Sequence, residues 1–118
     1  MAATEEAFGD AEIDTTRLDP ERVGVLIASG VGGLREIEQA NHVLENEGYR
    51  RVSPFVVPMM IGDMASGNVA IRFDLRGPNF GLVSACASGA HAIGEAAHII
   101  RRGDADVMVA GGSEAAIT

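Results

Sequence analysis

One residue in this sequence stands out as able to do covalent chemistry, the single cysteine Cys86. It lies in the stretch VSACASGAHAIG, where an apolar run leads in and a helix-like pattern leads out. A sharp turn from a strand into a helix projects one side chain into a cleft, and such a turn requires small neighbours like those around Cys86. The N-terminus of the next helix would favour a thiolate, and the Cys86 N–H could donate to an oxyanion. The pattern predicts a nucleophile, with a buried structural cysteine as the alternative.

A thiol nucleophile usually works with a histidine, and the chain has His42, His91 and His98. At about 100° per residue, His91 lies about 140° around the predicted helix from Cys86, and His98 lies about 120° around and three turns away. Neither is expected to reach the sulfur, and His42 could do so only through the tertiary fold. With one cysteine and no finger-like ligand spacing, the sequence predicts no metal site.

The composition bounds the class of protein. The chain has 118 residues, enough for one domain or a part of one, with 47% hydrophobic and 22% charged residues, as in globular proteins. Its formal net charge of −8 disfavours a nucleic-acid-binding surface. The acidic start has no signal-peptide pattern, and no apolar run approaches the length of a membrane span. We therefore expect a soluble, cytoplasmic protein with no membrane or nucleic-acid partner.

Three apolar segments are expected to be buried strands, and three amphipathic segments between them are expected to be helices. The acidic residues 1–21 are interpreted as the end of a helix and a linker, and 22–118 as the folded part. The order strand, helix, helix, strand, helix, strand indicates an α/β fold whose sheet is covered on both faces. The predicted strands are Val23–Ala28, Phe80–Ala85 and Asp106–Gly112, and the predicted helices are Leu34–Glu47, about Met59–Ile71 and Ala87–Arg102, with stops at Gly48 and Gly103.

Helical periodicity also predicts which face of each helix is inward. The predicted inner faces are Leu34, Ile37, Ala40 or Asn41, and Leu44 in the first helix; Met60, Met64, Asn68 and Ile71 in the second; and Ala90, Ile93, Ala97 and Ile100 in the third.

The segment GPNFGLVSACASGAHAIGEAAHIIRRGDADVMVAGGSE closely resembles the active-site segment of β-ketoacyl-[acyl carrier protein] synthases, specifically the KAS II type. The match includes Gly77, Leu82 and the run Ala85–Gly89 around the cysteine. The segments IASGVGGL, SPFVVP and GDADVMVAGG resemble further parts of the same family in the same order. The resemblance extends from about Arg22 to Thr118 and is only loose before that.

The resemblance implies a thiolase-like fold of two duplicated α/β halves, of which this chain would be a partial N-terminal half with a mixed sheet covered by helices on both faces. It implies that Cys86 accepts the acyl chain, that Val31 gates the acyl pocket, and that Val56 contributes to a pocket across a dimer. Strand Phe80–Ala85 would pair with its copy in a homodimer. The implied partners are acyl- and malonyl-acyl carrier protein, with no metal and no dissociable cofactor.

The chain departs from the family in extent, because family members are several times longer. The first strands of the N-terminal half have no counterpart here, and neither does the C-terminal half that carries two catalytic histidines, a lysine and a Phe-Gly-rich loop. We therefore expect an internal fragment of an elongating synthase that holds the nucleophile without the decarboxylation machinery. Two alternatives are a non-catalytic subunit that pairs with a full synthase and, less favoured, a small cysteine hydrolase.

Overall fold

A computed structural model describes residues 1–117, so Thr118, the last residue of the predicted 22–118 segment, lies outside the described residues. Four α-helices lie between the two strands in chain order, and short 3₁₀ turns lie at Thr15–Arg17, Pro20–Arg22, Tyr49–Arg51 and Ala85–Ala87. The elements in chain order are α1 (Ala2–Asp10), β1 (Val23–Ala28), α2 (Leu34–Glu47), α3 (Val56–Met60), α4 (Met64–Phe73), α5 (Ser88–Arg102) and β2 (Val107–Gly112).

The two strands pair in parallel, in a register that runs from Val23 opposite Val107 to Ala28 opposite Gly112. At the start of the pair the guanidinium of Arg22 donates to the Asp106 carboxylate at 2.6 Å. Because the strands end side by side, the residues that follow them meet at one edge of the sheet. In open α/β sheets this carboxyl edge is where ligands bind.

Both faces of the sheet are covered by helices, which confirms the predicted α/β arrangement. On one face, Val23 and Val25 pack in a core with Phe8 from α1 and with Val69 and Ala70 from α4. On the other face, the same strand presents Leu26 and Ala28 to Ala92 of α5. Val25 and Leu26 are both 0% exposed, so alternate side chains of β1 form the centre of two separate cores.

The acidic residues 1–21, interpreted from the sequence as the end of a helix and a linker, include the helix α1. Phe8 of α1 is buried and lies edge-to-face against Phe73 of α4, with 5.2 Å between ring centroids. This aromatic pair attaches α1 to the sheet through α4. None of the helices in residues 1–117 is long and apolar enough to cross a membrane.

The prediction that Phe80–Ala85 is a buried strand is wrong. Asn79 forms one bridge to Val25, but no strand follows it, and Val83 is 67% exposed. The reason is Ser66 of α4, whose hydroxyl accepts from Ile27 N–H at 2.7 Å and contacts Phe80 O at 3.0 Å. This side chain stands between the two backbones and occupies the positions that a strand ladder would use.

The single helix predicted from Met59 to Ile71 is two helices, α3 and α4, separated by a break after Met60. The break is caused by contacts between the backbone of α3 and the backbone of the glycine loop after β1. Gly33 N–H donates to Met60 O at 2.9 Å, and a Cβ on Gly33 would lie 2.5 Å from Met59 O. The glycine loop after β1 therefore packs directly on the end of α3 and takes a carbonyl that a continuous helix would use.

The helix boundaries at Gly48 and Gly103 are confirmed, but the predicted inner faces are wrong. In α5 the buried positions are Ser88, Ala92, Ala96 and Ile99, whereas Ile93 is 60% exposed and Ile100 is also exposed. Helix α4 buries Ser66, Val69 and Ala70 instead of the stripe from Met60 to Ile71, and α2 buries none of its residues, with Ile37 and Leu44 exposed. In α5 the buried Ala92, Ala96 and Ile99 directly precede the predicted Ile93, Ala97 and Ile100, so two apolar stripes adjoin and periodicity alone does not fix the inward direction.

Ser66 offers a test of this packing. Replacing Ser66, which is 0% exposed, by Ala would leave the Ile27 N–H without its acceptor in the interior. We expect Ser66→Ala to lower the free energy of unfolding by about 1–3 kcal/mol in a urea titration. The exposed Ser53→Ala serves as the matched control and should change it by less than about 0.5 kcal/mol. Equal, small effects of both variants would contradict this role of Ser66.

Candidate active site

A cleft of about 530 Å³ lies at the carboxyl edge of the sheet. One wall is the turn that leads into α5, and the other is the loop that follows β1. Its lining residues are Ala28, Ser29, Gly30, Val31, Ala85, Cys86, Ser88, Gly89, Gly112, Ser113, Glu114 and Ala116. Two of the sequence-predicted site residues, Cys86 and Val31, therefore share one cleft.

The sharp turn predicted around the cysteine is present, although it follows an extended segment and not a strand. Ala85 has φ 51°, a left-handed conformation that costs a non-glycine residue roughly 1–2 kcal/mol. Cys86 follows within the 3₁₀ turn and is exposed. In this chain the cysteine is therefore not buried, and it lines the cleft.

Ser88 holds this turn in shape. Its hydroxyl accepts from Ser84 N–H at 2.8 Å and donates to Ala85 O at 2.6 Å, and Ser88 itself is only 5% exposed. The two bonds close a ring around Cys86 and offset the strain at Ala85. They also explain why one of the small residues around Cys86 is a serine.

A pair of glycines sets the position of the turn against the sheet. A Cβ on Gly112, the last residue of β2, would lie 3.3 Å from the Gly89 Cα in the first turn of α5. A Cβ on Gly112 would require the helix to shift slightly, whereas a Cβ on Gly89 would lie 3.6 Å from Gly112 N, in ordinary contact. Gly112 therefore lets the N-terminus of α5, and Cys86 before it, lie close against the end of β2.

The opposite wall depends on Glu114, which no sequence motif indicated. Its carboxylate accepts from Gly30 N–H at 2.7 Å and from Val31 N–H at 3.0 Å. Burial raises the pKa of this carboxyl, but donation from the Val31, Gly30 and Ala115 amides and the Ser29 hydroxyl outweighs that effect and lowers the pKa below its usual value. The available signal was its position: an acid two residues beyond one strand, at the edge where a glycine loop follows the other.

Val56 lies elsewhere. It contributes to a separate cavity of about 390 Å³ between α2 and α3, whose lining includes Val43 and Met59. Within one chain, therefore, the structure brings Val31 to Cys86 and does not bring Val56 to it.

The histidines do not contact the thiol in the described residues. His91 Nδ1 lies 2.6 Å from Ser84 Oγ, and His42 Nδ1 lies 3.2 Å from the Asn46 side-chain amide. Across residues 1–117, no group of His, Cys, Asp and Glu side chains is arranged to hold a metal ion. The cleft thus offers an exposed thiol, a group suited to accepting an acyl chain at sulfur.

Comparison with known proteins identifies the family to which this chain belongs. The model of the beta-ketoacyl synthase N-terminal domain matches residues 1–118. The chain is 50% identical over 118 residues to 3-oxoacyl-[acyl-carrier-protein] synthase 2 of Staphylococcus aureus, covering 100% of this chain and 29% of that protein. It is also 50% identical over 121 residues to the synthase of the same name from Rhizobium meliloti (strain 1021), covering 99% of this chain and 28% of the relative.

Solved structures agree. A type II PKS ketosynthase, in complex with its acyl-carrier protein and bound to the hexaketide, matches with a TM-score of 0.85 and 29% identity over 95% of this chain and 32% of that one. A beta-ketoacyl synthase from Burkholderia phymatum STM815 matches with a TM-score of 0.80 and 31% identity over 92% and 27%. The chain spans less than a third of the length of each of these proteins. Within that span, it belongs to the β-ketoacyl synthase family and corresponds to part of the N-terminal domain, with the thiolase-like fold.

Proposed function

We propose that Cys86 is the acyl-accepting nucleophile of a β-ketoacyl-[acyl carrier protein] synthase of the KAS II type. The observation that carries this proposal is the exposed thiol on a strained turn, facing a cleft at the carboxyl edge of the sheet. The 50% identity to two proteins named 3-oxoacyl-[acyl-carrier-protein] synthase 2 supports the choice of the KAS II type.

In the proposed first step, the Cys86 thiolate attacks the thioester carbonyl of acyl-carrier protein. A bond forms between Sγ and the acyl carbon, the carrier's thiolate leaves and takes up a proton, and the Cys86 N–H donates to the transient oxyanion. In the second step, malonyl-carrier protein loses CO2 and its carbanion attacks the Cys86 thioester. This releases β-ketoacyl-carrier protein and restores the thiol.

The family resemblance assigns the decarboxylation step to two histidines. Within residues 1–117, His91 lies against Ser84, His42 lies against Asn46, and no hydrogen bond joins a histidine to Cys86. We therefore propose that this chain alone supports acyl transfer to Cys86 and not condensation. The same observation disfavours a cysteine hydrolase, which needs a histidine at the thiol, and the presence of Cys86 disfavours a purely non-catalytic pairing subunit.

The pocket residues are proposed in different roles. Val31 lines the Cys86 cleft and is 55% exposed, which supports a role beside the bound acyl chain. Val56 lies in another cavity, which supports a contribution to the cleft of a second copy instead of its own.

We also propose an acyl donor, an oligomeric state and a location in the cell. Acyl carrier protein is the proposed donor, in line with the related ketosynthase solved with its carrier protein. A homodimer is proposed through segment Phe80–Ala85, whose exposed Phe80 and Val83 would otherwise face water. A cytoplasmic location is proposed in line with the single cysteine, which cannot form an internal disulfide and so does not imply an oxidising compartment.

The acyl-transfer proposal has a direct test, because Cys86 is the only cysteine. Incubation with acyl-carrier protein should add one acyl mass to the intact chain, and Cys86→Ala should abolish the adduct. Adding malonyl-carrier protein should give no β-ketoacyl product. No adduct on the folded chain, or an equal adduct on Cys86→Ala, would contradict the assignment of the nucleophile. Formation of a β-ketoacyl product would contradict the proposed restriction to acyl transfer.

The homodimer proposal predicts a position-dependent effect of charge. Val83→Lys places a cation in the proposed interface and should shift the chain from dimer to monomer in sedimentation equilibrium, because apolar edges tolerate charge poorly. Ile71→Lys is the matched control, since Ile71 is 77% exposed on α4, outside the segment. It should leave the dimer intact. A monomeric wild-type chain, or equal dissociation by both variants, would refute this interface.

A further inference from the structure

We propose that Glu114 is a positioning residue for acyl transfer: its carboxylate fixes the backbone of the loop Ser29–Gly32, which forms the wall of the cleft opposite Cys86. This inference rests on the proposed function of Cys86. It concerns a residue that lies beyond the end of β2 and that reaches across to the loop after β1.

Apart from the N–H of the adjacent Ala115, the hydrogen-bond donors to this carboxylate all belong to this loop. One oxygen, Oε2, accepts from the N–H groups of Gly30 and Val31 at 2.7 and 3.0 Å. The other, Oε1, accepts from the Ser29 hydroxyl at 3.4 Å, and that hydroxyl in turn accepts from Gly32 N–H at 2.9 Å. Hydrogen bonds to an ionised acceptor are about twice as strong as neutral ones. A single carboxylate thus organises the donors of the whole loop.

The space for this carboxylate is provided by a glycine. A Cβ on Gly30 would lie 2.8 Å from Glu114 Oε2, closer than carbon and oxygen approach in proteins. The far side of the same loop is held separately, because Gly33 N–H donates to Met60 O at 2.9 Å. The carboxylate is therefore the support of the loop on the cleft side, where Val31 lies.

Glu114 also lies between the Cys86 cleft and an adjacent cavity. Ser29 and Glu114 line the Cys86 cleft of about 530 Å³ and an adjacent cavity of about 590 Å³. The adjacent cavity is lined by apolar side chains that include Phe55, Met59 and Met64. Releasing the loop would change the wall past which a long acyl group on Cys86 must extend, whereas a two-carbon acyl group would be little affected.

Amide hydrogen exchange tests the support of the loop. In Glu114→Gln, the Gly30 and Val31 amides should exchange about tenfold faster than in the wild-type chain, because they lose a charged acceptor. Amides of Val25 and Val109 in the sheet should be unchanged, which separates a local effect from unfolding. Glu45→Gln, an exposed acid on α2, is the matched control and should change neither set.

A second variant disturbs the same hydrogen bonds by changing the loop instead of the carboxylate. Gly30→Ala should displace the carboxylate and raise Val31 amide exchange in the same way, and combining it with Glu114→Gln should add little. Unchanged exchange of Gly30 and Val31 in Glu114→Gln would overturn the inference. Uniformly faster exchange throughout the sheet would also overturn it, because it would indicate a general structural role.

The chemical consequence is measured as the ratio of Cys86 acylation rates from octanoyl- and acetyl-carrier protein. Glu114→Gln should change this ratio by about threefold or more, whereas a loss of folded protein would slow both rates equally. An unchanged ratio would contradict the positioning role. A wild-type chain that forms no adduct would instead refute the proposed function, and amide exchange would still decide whether Glu114 holds the loop.

Discussion

The parallel pairing of Val23–Ala28 with Val107–Gly112 is the constraint on which the rest of the structure depends. Because the two strands end side by side, the segments that follow them share one edge of the sheet. Ser29 and Gly30 follow one strand, and Glu114 follows the other, so the carboxylate can reach the loop amides. The buried side chains of β1 form the centre of both cores, so the helices that flank the cleft are fixed by the same strand.

The position of the nucleophile at this edge depends on glycines as well as on side-chain contacts. Gly112 lets the first turn of α5, which contains Gly89, lie close against the end of β2. The left-handed Ala85 and the Ser88 hydroxyl then orient Cys86 into the cleft. The carboxylate of Glu114 forms the opposite wall, so the cleft is bounded by one strained turn and one hydrogen-bonded loop.

Much of this could be predicted from the sequence, for physical reasons that differ between elements. The strands β1 and β2 are short apolar runs bounded by glycine, and the turn at Cys86 has small residues on both sides, so each was predicted from local signals. The segment Phe80–Ala85 has the same apolar pattern, but its pairing depends on the distant Ser66 hydroxyl, which local sequence does not reveal. The break after Met60 and the bonds of Glu114 are likewise contacts between residues far apart in the chain.

The structure displays the Cys86 thiol in the cleft at the carboxyl edge of the sheet, and acyl transfer depends on this exposure. The most direct measurement is the rate at which iodoacetamide alkylates Cys86 in the folded chain and in the chain unfolded by urea, at neutral pH and corrected for the effect of urea on a model thiol. We expect the folded chain to be alkylated at least as fast as the unfolded chain, because the turn leaves the sulfur exposed. Alkylation that is clearly slower in the folded chain would contradict this, because it would show that the fold shields the thiol.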